Sequence, residues 1–167
     1  MRNFMTIFFI TFCLIFVSSA ASAFDYHNWI PLLSESIGGM DKQGEPEGLN
    51  MEKGGQSWSS IRQQYADAAG KNISLSIITG SDAPGIREFK TMQKFNMENE
   101  KKKIKALEVS GHKAVLAFNK KGGRSNLLIA AQDETLVVIE TSSFDSEADL
   151  VALADDIPLA EIADSVK

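Results

Sequence analysis

The sequence predicts an α+β domain: an antiparallel sheet of about six strands, a hairpin plus a four-strand meander, flanked by helices. Three observations predict it. Four strand-like segments between residues 104 and 141 are divided by turns short enough to join antiparallel neighbours. Ile73-Ser74-Leu75-Ser76-Ile77 alternates apolar and polar residues, as a half-buried strand does. Apolar residues near both ends of the domain recur at helical spacing.

The first segment lies outside that domain. Arg2 is followed by an apolar run from Phe4 to Val17 and by small residues ending in Ala21-Ser22-Ala23, the order of a secretory signal peptide cleaved before Phe24. The run is shorter than the roughly 20 residues a membrane-spanning helix needs. Cys13 raises the lipoprotein alternative, but bulky Phe12 precedes it where lipoprotein processing wants a small residue. Export to the periplasm or the extracellular space is the expected localisation, with no membrane span after cleavage. The remaining 144 residues form a single domain with no cysteine, so packing must hold it together. Without Arg2 the formal charge moves from −5 to −6, a balance that disfavours nucleic-acid partners.

Ile30, Leu33 and Ile37 predict a short helix over 26–37, with Pro31 in its first turn and Gly38-Gly39 as its stop. Residues 38–57, rich in glycine and holding Glu45-Pro46-Glu47, read as a long loop with a short strand near 49–52. Residues 57–66 fit a helical face through Trp58, Ile61 and Tyr65, and also alternate strand positions through Ile61, Gln63 and Tyr65. The strand is favoured because Ala69-Gly70-Lys71-Asn72 reads as a turn into the next strand.

Ser81 or Asp82 then caps a helix with Pro84 in its first turn, burying Ile86, Phe89 and Met92 and ending near Phe95. The meander follows: 104–109, 113–119, 125–131 and 135–141. Leu136-Val137-Val138-Ile139 is apolar on both faces, which places it centrally, with helices covering one side. Asp145-Ser146-Glu147 opens a helix carrying Leu150, Leu153 and Ala154; after Pro158 the pattern continues through Leu159, Ile162 and Val166.

Catalytic and cofactor motifs are weak. His27 and His112 have no carboxylate at a metal-ligand spacing, Gly55-Gln56-Ser57-Trp58-Ser59 lacks the second glycine of a nucleophile elbow, and the acidic stretch Asp41 to Glu47 does not match a calcium loop. No cofactor is called for. The most informative constellation comes from pairing strands across Ser110-Gly111: Val109 meets His112, Lys103 meets Phe118, and Lys101 meets Lys120. Lys101, Lys102, Lys103, Lys120, Lys121 and Arg124 then gather at one sheet end as a local anion site. Lysines also solvate strand ends and block edge pairing, and Glu98 and Glu100 neutralise part of the field.

The run Gly54-Gly55-Gln56-Ser57-Trp58 through Tyr65, then Lys71-Asn72-Ile73-Ser74-Leu75-Ser76-Ile77, a helix and a meander closed by a C-terminal helix resembles exported bacterial proteins with a PsbP/Mog1-like α/β sandwich. That resemblance implies a non-catalytic binding or assembly role and brings no site residues with it. The expectation is therefore a non-enzymatic binding or assembly module. Its partner would be a protein or an anionic envelope component, met at the basic sheet end with loop 38–57 as a second contact surface. The alternatives are a small cell-envelope hydrolase using convergent Asp, Glu and Ser side chains, and a purely structural envelope protein.

Overall fold

The computed structural model describes residues 24–167; the signal-peptide reading of residues 1–23 lies outside them. A 3-10 helix (Tyr26–Leu32) precedes β1 (Ser36–Ile37), β2 (Met40–Lys53), β3 (Gln56–Ala66) and β4 (Asn72–Thr79). Then come α1 (Ile86–Met92), β5 (Met97–Glu98), β6 (Lys102–Val109), β7 (His112–Asn119), β8 (Ser125–Gln132) and β9 (Thr135–Thr141). The chain closes with α2 (Glu147–Ala152), a 3-10 turn (Leu153–Asp156) and α3 (Leu159–Ser165). All nine strands belong to one antiparallel sheet in the order β1-β2-β3-β4-β9-β8-β7-β6-β5. The expected α+β sandwich of about six strands is thereby overturned: the sheet is half as large again and the helices are short accessories to it.

Two meanders, β1–β4 and β5–β9, make this sheet, and they join where β9 lies beside β4. Strand alternation then divides the core. Ile73, Leu75 and Ile77 of β4 and Val137 and Ile139 of β9 face one side, under the N-terminal 3-10 helix, α2 and α3, together with Trp29, Tyr65, Leu116 and Ile162. Ile104, Val115, Leu128 and Leu136 face the other side, under Ile86 and Phe89 of α1. So β9 is central as its composition indicates, but helices cover it on both sides.

The largest departure is β2. Residues 38–57 are expected as a long loop with a short strand near 49–52, yet Met40–Lys53 within them forms a hairpin strand fourteen residues long. Gly38 and Gly39, expected to end a helix, are the two-residue turn between Ile37 and Met40; both have positive φ, 58° and 75°, as the turn favoured by twisted hairpins requires. The first helix is correspondingly shorter, and Ile37 is buried in β1. Pro46, which argues against a strand, sits in a bulge between Gln43 and Glu47, where no ladder hydrogen bond needs its missing N–H. The bulge frees carbonyls that Gln63 of β3 recovers: its Nε2 donates to Gln43 O at 2.8 Å and to Gln64 O at 3.0 Å.

The helix after β4 also begins later than expected. Its N-cap is Gly85, with no side-chain cap, and Ser81 donates to Asp82 and not to the helix backbone. By contrast the register across Ser110-Gly111 is as expected, with Val109 opposite His112 and Lys103 opposite Phe118. Among the described residues, no helix is long and apolar enough to cross a membrane.

Candidate functional site

A broad concavity lies along α1. A groove of about 720 Å³ opens between the loop Ser81–Gly85, one flank of α1 and the start of β6. The loop is fixed because Gly80 N donates to Glu134 O at 2.9 Å and Ala83 N donates to Gly80 O at 3.0 Å. The far wall is fixed by two asparagines. Asn96 Oδ1 accepts from Ala106 N at 2.9 Å, and Asn99 Oδ1 accepts from the backbone N–H groups of both Lys101 and Lys102 at 2.8 Å.

The lining is divided by chemistry. Met92, Phe95 and Ile104 supply apolar surface, and Phe95 is 44 % exposed although it is a large aromatic in a small domain. Arg87 and Lys102 supply the cations; Asp82 and Glu88 supply carboxylates on the helix side. Lys102 comes from the opposite wall, at the sheet end that also carries Lys101 and Lys121. A volume in the range of roughly 300–1,000 Å³ with mostly apolar walls and a few charged groups fits a small molecule.

The six cations expected to form one anion site are brought to one end of the sheet but not into one cluster. Lys120 N donates to Lys101 O at 2.8 Å, so their strands meet as expected. Alternation then turns neighbours apart. Lys102 faces the groove, whereas Lys103 points to the other side and pairs with Glu147 of α2 at 2.9 Å. That hydrogen bond raises the Lys103 pKa above its ordinary value. Lys120 is held by Glu98 at 2.6 Å, and Glu98 is correspondingly held below the usual carboxylate range, first by that hydrogen bond and then by the Lys120 charge. Arg124 turns to Glu140 at 3.4 Å, and Glu140 also meets Arg62 at 3.6 Å. Lys101, Lys102 and Lys121 make no ion pair among the described residues.

A smaller polar recess surrounds Glu140 on the part of the sheet that α1 leaves uncovered. Arg62 Nε donates to Ser74 Oγ at 2.6 Å, and nearby Asn126 Oδ1 is buried with no hydrogen-bond partner among the described residues. The histidines stand apart from both sites: His27 is paired with Asp25 at 2.6 Å, and the His112 ring lies 3.2 Å from Ala130 O. Among the described residues, no group of three or more His, Cys, Asp or Glu is placed to hold a metal ion.

Sequence reasoning missed Arg87, Met92 and Phe95 as groove residues. Phe95, just past the helix, was the available signal, since an aromatic at a helix end with no strand to enter has little reason to be buried. Comparison of the chain with protein-family models, curated proteins and solved structures finds no match.

Proposed function

We propose that the protein is an exported, non-enzymatic binding module whose ligand is a small anionic amphiphile held in the groove along α1. The observation that carries this reading is the union, in one groove, of an apolar surface at Met92, Phe95 and Ile104 with the unpaired ammonium of Lys102. An acyl or aromatic body would lie on the apolar residues, where each buried methylene contributes about 0.8 kcal/mol. Its carboxylate or phosphate would meet Lys102, with Lys101 and Lys121 adding to the local field at that sheet end. Asp82 and Glu88 offset the charge of Arg87 on the helix side, so the head group is directed toward Lys102 on the strand side. The reading needs no cofactor.

Calorimetric titration with dodecanoate and with dodecylammonium, which share a chain and differ in head charge, tests it. Dodecanoate binds and dodecylammonium does not. Phe95→Asp abolishes binding, and Lys102→Gln weakens it about tenfold, the loss of one charge-assisted hydrogen bond. Equal binding of the two heads, or none of either, overturns the proposal.

A further inference from the structure

The long strand β2 lies next to the sheet edge, and β1 shields only its beginning, through Ser36 opposite Asp41 and Ile37 opposite Met40. From Glu47 to Lys53 its outer edge has no strand partner among the described residues, while its inner edge pairs with β3 from Arg62 to Gln56. The two-residue turn Gly54-Gly55 sets Lys53 and Gln56 as the closing hydrogen-bonded pair, so residues 51, 49 and 47 direct their N–H and C=O groups to β3. Gly48, Asn50 and Glu52 therefore direct theirs outward. On the α1 side of the same strand, Leu49 and Met51 are 43 % and 38 % exposed. The other side is covered by the chain's own N-terminal segment: Asn50 Oδ1 accepts from Tyr26 N at 3.1 Å, and the Tyr26 ring lies against Gly48.

We propose that this edge is a homodimer interface, in which β2 of two copies pair antiparallel about a two-fold axis at Asn50 and join the two sheets into one. The segment is self-complementary in that register. Asn50 meets Asn50 and Gly48 meets Glu52, all residues with outward backbone groups, so the hydrogen-bond parity of the ladder is satisfied. Leu49 meets Met51 twice, as non-hydrogen-bonded pairs whose side chains approach closely and cover each other's exposed apolar surface. A shift by one residue loses the parity, and an unrelated strand has no such match, so the fitting partner is a second copy of this chain. The inference is independent of the groove and its ligand.

Sedimentation velocity of the full chain, together with disulfide trapping in a Cys13→Ser background, tests it. The wild type sediments as a dimer. Glu52→Pro, which removes an outward N–H without touching the β2–β3 ladder, sediments as a monomer with an unchanged far-UV spectrum. Leu49→Cys mixed with Met51→Cys gives a disulfide-linked dimer, because directly opposed residues lie about 4.5 Å apart. Neither variant alone cross-links, since diagonal positions are about 7–8 Å apart, beyond disulfide reach. A monomer at all concentrations, a dimer that survives Glu52→Pro, or cross-linking of either cysteine variant with itself overturns the proposal.

Discussion

The indole Nε1 of Trp29 donates a 3.0 Å hydrogen bond to Ser165 Oγ and so joins the first helical turn of the described chain to the last. Ser165 passes the bond on, donating to Ile162 O at 2.7 Å. Trp29 is fully buried, with the Phe24 ring 4.3 Å away between centroids. The two ends of the described segment therefore close one face of the sheet together.

Removing each half of that contact separates packing from hydrogen bonding. Trp29→Ala is expected to lower stability by about 3–5 kcal/mol, the range for an aromatic deleted from a core. Ser165→Ala leaves the indole N–H unpaired in a part-buried site and is expected to cost about 1–3 kcal/mol. Urea unfolding followed by circular dichroism measures both; equal losses would mean that the hydrogen bond, not the ring, carries the closure.

Gln63 is the residue on which the β2 bulge depends. It is 1 % exposed, and its Nε2 is the donor to the Gln43 and Gln64 carbonyls. Gln63→Leu matches its bulk but strands those carbonyls, at an expected cost of about 1–3 kcal/mol. Gln63→Glu puts a carboxylate against carbonyl oxygens and is expected to cost more at neutral pH than at pH 4, where the protonated acid can donate. Melting curves at the two pH values check this, and a variant as stable as wild type at neutral pH would remove Gln63 from its assigned role.

Acid stability depends partly on Asp25. Its carboxyl is held down to about 2 from 3.8, first by the hydrogen bond from the Asn50 side chain, then by the His27 backbone N–H and the His27 ring. A lowered folded pKa contributes stability that is present above the ordinary carboxylate pKa and is lost as pH falls from about 4 through about 2. The melting temperatures of wild type and Asp25→Asn should therefore converge over that interval. Parallel curves would show that Asp25 titrates alike in the folded and unfolded chain.

Alkaline stability depends on Tyr65 in the opposite sense. Burial, and secondarily the Glu35 carboxylate, push its phenol from 10 up to about 12, and its hydroxyl donates to Ser34 O at 3.0 Å. A neutral phenol favoured by folding contributes stability that is present below pH 10 and is lost as pH rises from about 10 to about 12. Tyr65→Phe should cost about 1 kcal/mol at neutral pH and flatten the alkaline limb of the stability curve. Absorbance at 295 nm with parallel circular dichroism reads both.

The meander from β6 to β9 was legible because β7, β8 and β9 are short runs of buried, mostly apolar residues and because its turns are short enough to set the register. That is why Lys103 opposite Phe118 follows from Ser110-Gly111 alone. Strand β2 was not legible for the converse reason. Apart from Met40 its described side chains are exposed or half-buried, so no face selects a pattern, and what holds it, the β3 ladder and Gln63, lies elsewhere in sequence. The basic end was legible as a location but not as a site. Register places the cations together, but side-chain alternation and the carboxylates Glu98, Glu140 and Glu147, from three separate elements, disperse them. The groove depends on how α1 lies on β6, a tertiary fact with little local sequence signal.

The signal-peptide reading of residues 1–23 gives the last prediction. Ala21-Ser22-Ala23 has the small residues that signal peptidase accepts, and cleavage there would leave Phe24 first. The domain's own contacts include that residue: the Phe24 carbonyl accepts from Ser59 Oγ and its ring packs on Trp29. Cleavage before Phe24 thus spares every one of these groups, while cleavage even one residue later would remove both. N-terminal sequencing of the exported protein should begin Phe-Asp-Tyr-His. Retention of Met1 would refute cleavage, and a start at Asp25 should come with a measurable loss of stability, because the Trp29 ring would lose its aromatic neighbour.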